Sequence, residues 1–213
     1  MKIGILGSGT VAQTLAAGFA RHKHEVMLGS REPAKLAEFA AQHPGVQVGT
    51  GAEAAAFAEV ALLAVKGTAA EAALQGEVSR QLAGKVVVDA TNPIADAPPD
   101  QGLLRFFTTL DDSLMERLQR AHPAVRFVKG FNSVGSALMI DPKLPGGRPT
   151  MFIAGDDAEA KQVVTALLME IGWDSADMGG AVAARAIEPL CMLWCIPGFL
   201  RNDWMHAFKL LTA

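Results

Sequence analysis

Two groups of residues have the types and spacing to do chemistry, and both suit phosphate. Gly7, Gly9 and Ala12 form a G-x-G-x-x-A pattern directly after the apolar run Lys2 to Leu6. They open a segment, Thr10 to Arg21, that carries Val11, Leu15, Gly18 and Phe19 at helical spacing. Gly7 permits a tight turn, and Gly9 lets the backbone approach a bulky anion. Ala12 is small enough for the helix to pack on the strand. The free N–H groups of Ser8, Gly9, Thr10 and Val11 then face a pyrophosphate at the positive end of the helix dipole. The second group is Ser30, Arg31 and Lys35. A dinucleotide site that selects an unmodified ribose carries Asp or Glu about 20 residues past the glycines, to hold the 2′-hydroxyl. That slot holds Ser30 here. A hydroxyl, a guanidinium and a lysine one turn later match a 2′-phosphate instead, which predicts NADP(H) over NAD(H). Glu32 is the one nearby acid that could turn inward.

These groups need a scaffold, and the chain supplies one. Strand-like runs at 2–6, 25–28, 46–48, 60–65, 85–90, 125–129, 151–154 and 173–176 alternate with helical segments at 10–21, 33–42, 52–58, 68–82, 113–121 and 157–171. Such alternation implies a parallel sheet covered on both faces, with right-handed crossovers. The fold class is therefore α/β: a doubly wound, mainly parallel Rossmann sheet with a small helical C-terminal extension. Residues 1–213 form a single nucleotide-binding domain in this reading, with 181–213 as the helical extension. The stretch Thr91 to Thr109 is irregular, and 141–149 is rich in Pro and Gly.

Composition narrows the function. Half of the 213 residues are apolar and 19% are charged, enough for a substantial core and against disorder. Nineteen basic residues stand against 22 acidic ones, with no basic block, so neither nucleic acid nor an anionic membrane is expected as a partner. The apolar run Pro189 to Leu200 is shorter than the roughly 20 residues a bilayer needs. The chain also opens on a strand rather than a leader, so a soluble, cytoplasmic protein is expected. Tyr is absent, which excludes a Tyr-Lys catalytic pair. The five histidines have no metal-ligand spacing and no metal site is expected; His22 and His24 read as solvated turn residues. Cys191 and Cys195 share a helix face and read as packing residues. The apolar stretch Leu190 to Phe208 reads as part homodimer interface and part wall of a substrate pocket.

The chain resembles the deazaflavin (coenzyme F-420)-dependent NADP reductase family, and is similar to the cytosolic NADPH-oxidising domain of six-transmembrane metalloreductases. The pieces that carry the resemblance are Gly7-Ser8-Gly9-Thr10-Val11-Ala12, Gly29-Ser30-Arg31 with Lys35, Val88-Asp89-Ala90-Thr91-Asn92-Pro93, Lys129-Gly130-Phe131-Asn132-Ser133 and Gly155-Asp156-Asp157. The resemblance implies that Ser30, Arg31 and Lys35 hold the 2′-phosphate. It also implies that Val65, Lys66, Asn92, Pro93, Phe131 and Asn132 line the nicotinamide, at the carboxyl ends of later strands where open α/β sheets bind ligands. The implied activity is hydride exchange between NADPH and a deazaflavin or flavin-type ring, a reaction that needs close placement more than acid–base groups. Asp89 and Lys66 are the only ionisable groups at strand ends that could serve as proton donors to a small carbonyl or imine, the alternative substrate class. A sensor that binds NADPH without turnover is a third reading.

Overall fold

The structure, a computed structural model, describes residues 1–212. Six short strands, β1 (Lys2–Leu6), β2 (Glu25–Gly29), β3 (Val46–Gly49), β4 (Val60–Leu63), β5 (Val86–Asp89) and β6 (Arg126–Lys129), form one parallel sheet. Their order is β3-β2-β1-β4-β5-β6. The four residues of β4, VALL, and of β5, VVVD, are all buried, as strands covered on both faces must be. Helix α1 (Thr10–Arg21) packs on one face against Ile3, Ile5, Val26 and Leu28. Before β3, a 3-10 turn (Pro33–Leu36) leads into α2 (Ala37–Gln42). On the other face of the sheet, α3 (Gly51–Phe57) and the later helix Leu114–Ala121 meet Leu6, Leu63 and Phe127. Strand order reverses at β1, which pairs with β2 on one side and β4 on the other. The crevice beyond the strand ends at that reversal is where such sheets bind ligands.

Side-chain caps place the helix starts. The Thr50 hydroxyl accepts the Glu53 N–H at 3.2 Å while Glu53 accepts the Thr50 N–H at 2.7 Å, and Ser113 with Glu116 repeats the pattern. The segment after β4 is less regular than its composition predicts. Instead of one helix over 68–82 there is a 3-10 turn (Gly67–Ala69), a single turn α4 (Ala70–Ala73) and then α5 (Glu77–Leu82). Gly76 breaks the run at φ +64°. Val65, expected within a strand, lies just past the end of β4.

After α6 (Leu114–Ala121) and β6, a second, two-stranded parallel sheet forms from β7 (Thr150–Ile153) and β8 (Asp174–Asp177), joined by α7 (Ala158–Glu170). It hangs on the main sheet through the Lys129 N–H, which donates to the Ala154 carbonyl at 2.8 Å. Buried Trp173 donates its indole N–H to Met139 O at 3.0 Å in the same region.

The C-terminus corrects two expectations. Residues Ala181–Arg201 run as one helical stretch of 21 residues, a 3-10 turn followed by α8 (Ala184–Ile187) and α9 (Pro189–Arg201). By length and hydropathy that stretch could cross a membrane. Yet it carries Arg185 and Glu188, which bond to groups of the fold, so it is part of the packing. The helical extension does not continue over 181–213: left-handed Asn202 (φ +54°) ends the helix. The tail then runs non-helically to residue 212, with Ala213 outside the described residues. The Thr150 N–H donates to Phe208 O at 2.8 Å and the Leu210 N–H to the Thr150 hydroxyl at 3.1 Å, so the tail lies along β7. His22 and His24 are not free turn residues either. Both are half-buried, His22 against Asp141 at 3.0 Å and His24 against Glu170 at 3.1 Å, tying the α1–β2 turn to the 141 loop and to the end of α7.

Candidate active site

At the head of α1, Gly9 is the N-cap; no side chain caps the helix and no acid occupies its first turn. Ser8, Gly9 and Thr10 are exposed, and Val11 partly so. The first helical N–H groups therefore point into open space at the positive end of the dipole. The two glycines do different jobs. Gly7 has φ +141°, and a Cβ there would come within 2.3 Å of Ala64 O; its own N–H donates to Gly29 O at 2.9 Å. At Gly9 a Cβ would meet nothing of the chain within 4 Å, which leaves the room a pyrophosphate needs.

Beyond β2, Ser30 is buried and its N–H donates to Gly49 O. Its hydroxyl oxygen accepts the Glu32 N–H at 3.1 Å, leaving the hydroxyl proton free to donate. Arg31 is exposed and its guanidinium has no hydrogen-bond or ion-pair partner among the described residues. Glu32 does not turn inward. Its carboxylate points to solvent and pairs with Lys35 at 2.8 Å, so Lys35 is shared with an acid rather than idle. The cluster is cationic and donor-rich at Ser30 and Arg31, and it fits a 2′-phosphate better than a free ribose hydroxyl.

The remaining predicted residues gather past β4, β5 and β6. Gly67 touches the next loop so closely that a Cβ would lie 1.9 Å from Asn92 O. Lys66, largely exposed, is ion-paired with Asp96. Buried Phe131 adopts φ +61° and donates its N–H to Met151 Sδ at 3.0 Å. Asn92 gives its NH₂ group to Asn132 O at 2.8 Å, and Asn132 gives its own to Ile187 O at 2.7 Å. Both carboxamide oxygens, Asn92 Oδ1 and Asn132 Oδ1, are buried with no partner among the described residues. A buried acceptor left unpaired costs about 1–3 kcal/mol, and a ligand N–H would recover it. Alongside, a cleft of about 310 Å³ is lined by Gly67, Thr68, Glu71, Ala95, Asp96 and Phe107.

Behind this cluster lies a group that residue-level reading passed over. Lys129, fully buried, donates to Asp89 Oδ2 (2.9 Å), Glu188 Oε1 (2.9 Å) and Thr91 O (2.7 Å). Asp89 Oδ1 takes the Thr91 N–H and hydroxyl at 2.9 and 2.6 Å. Glu188 takes the Leu114 and Met115 N–H groups at the head of α6, each at 3.0 Å. Burial opposes the ammonium charge, but Asp89 and Glu188 outweigh it and hold Lys129 above the usual lysine range. Asp89, a candidate proton donor by position, is sealed away from any ligand. The only local signals were a lysine closing an apolar strand and an acid opening an apolar helix; the three meet from 40 and 59 residues apart. Cys191 and Cys195 are buried with Leu104 and Trp194 in a core under the 94–112 loop. The neighbouring Cys195 and burial push the Cys191 thiol up, and the Cys191 neighbour draws the Cys195 thiol down.

A family model described as "NADP oxidoreductase coenzyme F420-dependent" matches residues 2–93. The F420-dependent NADP reductase of Methanothermobacter marburgensis is 34% identical over 217 residues, covering 95% of this chain and 96% of that protein. The chain belongs to this family. Among solved structures, a candidate F420-dependent NADP reductase from Arthrobacter sp. FB24 is 35% identical, with a TM-score of 0.92 and full coverage of both chains. Metalloreductase STEAP3 of Rattus norvegicus is 33% identical over 205 residues, but the chain spans only 39% of that protein's length. An imine reductase from Myxococcus stipitatus, at 18% identity and a TM-score of 0.69, shares the fold alone. This family member is an NADP-dependent oxidoreductase on an α/β fold with a parallel six-stranded sheet.

Proposed function

We propose that the enzyme passes hydride between NADPH and a deazaflavin ring. The observation that supports this most is the pair of unpaired asparagine oxygens just past the ends of β5 and β6. NADPH, when bound, supplies hydride from its nicotinamide ring. The rest of the work is placement by this chain's residues. The Ser8 to Val11 N–H groups and Gly7 and Gly9 seat the pyrophosphate, while Ser30, Arg31 and Lys35 hold the 2′-phosphate. Asn92 Oδ1 and Asn132 Oδ1 receive the carboxamide N–H groups, with Val65, Lys66, Pro93 and Phe131 around the ring. A small carbonyl or imine needs a proton from the protein as hydride arrives. Asp89 is sealed by Lys129 and Thr91, and Lys66 is held by Asp96 in solvent, so neither strand-end group is placed as such a donor, and a ring acceptor needs none.

The test is oxidation of NADPH by the purified protein with deazaflavin coenzyme, flavin mononucleotide, and a panel of cyclic imines and small ketones. Rapid turnover with the deazaflavin supports the reading; turnover only with imines or ketones overturns it. We further infer a soluble, cytoplasmic homodimer of one-domain chains, with no nucleic-acid or membrane partner. The outer side of α9 and the tail would form the interface, and their inner side the wall of the acceptor pocket.

A further inference from the structure

Hydride placement makes no direct use of the buried Lys129, yet the fold commits four chain segments to it. Replacing such an ion cluster with apolar side chains of equal volume is often neutral or even stabilising, so its value to the fold is not evident from its charge. Its geometry is more informative. Thr91, whose carbonyl takes a Lys129 N–H, immediately precedes Asn92. Glu188 immediately follows Ile187, whose carbonyl takes the Asn132 NH₂ group. Lys129 itself closes the strand that leads, through the strained Phe131, into Asn132. Each arm of the cluster therefore ends one to three residues from one of the two unpaired oxygens or from its supporting bond. All three N–H bonds of the ammonium are used, so the ends of β5 and β6, the head of α6 and the α8–α9 junction are fixed to one point.

We propose that Lys129 is a positioning residue: through Asp89, Thr91 and Glu188 it sets Asn92 Oδ1 and Asn132 Oδ1 relative to each other and to α9, so that both meet the nicotinamide carboxamide. This rests on the reading that these loops hold the nicotinamide end of the cofactor. An unpaired acceptor recovers its bond only within ordinary hydrogen-bond distance, so a shift of about 1 Å in either loop forfeits the contact. The adenine end, some strands away over β1 and β2, has no link to the cluster.

The triple variant K129M/D89N/E188Q removes all three charges together at similar volume and leaves no lone buried ion. Calorimetry with NADPH and with 2′,5′-ADP, which lacks the nicotinamide, separates the two ends. The expected result is a 2′,5′-ADP affinity within twofold of the parent and an NADPH affinity at least tenfold weaker. A folded triple variant that binds both ligands like the parent, or loses both equally, overturns the proposal. Should the triple variant fail to fold, E188Q alone is the measurement. A loss of threefold or more confined to NADPH supports the role, and no selective loss overturns it. Asn92→Ala and Asn132→Ala tell the two readings apart: if neither changes the ratio of NADPH to 2′,5′-ADP affinity, the nicotinamide assignment itself falls.

Discussion

Arg31 is an exposed guanidinium with no partner among the described residues, beside a buried serine that keeps one hydroxyl proton to give. A group held in that state at the end of β2 is ready for an anion. Arg31→Ala should weaken NADPH binding by about 1.5–3 kcal/mol, the range of a hydrogen bond to a charged group, while leaving NADH nearly unchanged. Titration calorimetry with both cofactors checks this, and equal losses would remove Arg31 from the site. The two glycines make a sharper pair. Gly7→Ala places a Cβ 2.3 Å from a backbone oxygen at φ +141°, which should cost at least about 1–3 kcal/mol of stability in thermal or urea melts. Gly9→Ala meets no protein atom, so its melt should stay within about 1 kcal/mol while NADPH affinity falls. Reversal of that pattern would mean the open space at Gly9 is not where the pyrophosphate lies.

At the scale of elements, the helical stretch Ala181–Arg201 is tied to the main sheet and to α6. Two of its polar side chains anchor it: Glu188 to Lys129 and the head of α6, and Arg185 to Glu116 at 2.8 Å. Burial opposes the Glu116 charge, but hydrogen bonds from Arg185 and Ser113 outweigh it and hold that carboxyl below its ordinary 4.5. A depressed folded value means the pair contributes its stability above about pH 4.5 and loses it as pH falls through the lowered value. Arg185→Met should therefore lower stability modestly at pH 7, with the gap from the parent closing in melts as pH falls through the lowered Glu116 value. A gap that persists at low pH would assign the loss to packing instead.

For the whole molecule, the outer side of α9 is the notable surface. Leu193, Phe199 and Leu200 are 44–55% exposed there, and Met205 on the tail 61%. An apolar strip of this kind on one helix is what a second copy would cover. Light scattering should give twice the 22.4 kDa chain mass, and Leu193→Lys with Leu200→Glu should give a monomer with little change in melting temperature. A monomeric parent would instead leave the strip facing solvent. The tail strapped along β7 and the Lys129 bond to Ala154 tie the second sheet to the first. The chain should therefore melt in one calorimetric transition, and two separate transitions would contradict a one-domain chain.

The local part of this protein is legible in its residues. Glycine spacing after an apolar strand, a Ser-Arg pair where an acid would select NAD, and strands alternating with capped helices are short-range patterns, written in neighbours and in helical or strand period. From them follow the doubly wound sheet and the proposed phosphate-binding end of the site. The pairing of His22 and His24 is decided by contacts with distant chain. So is the proposed nicotinamide end. Asn92, Asn132, Asp89, Lys129 and Glu188 are unremarkable in sequence. They acquire their roles only when parallel crossovers bring the ends of β5 and β6 to the α8–α9 junction, where a buried charge must find partners or not exist.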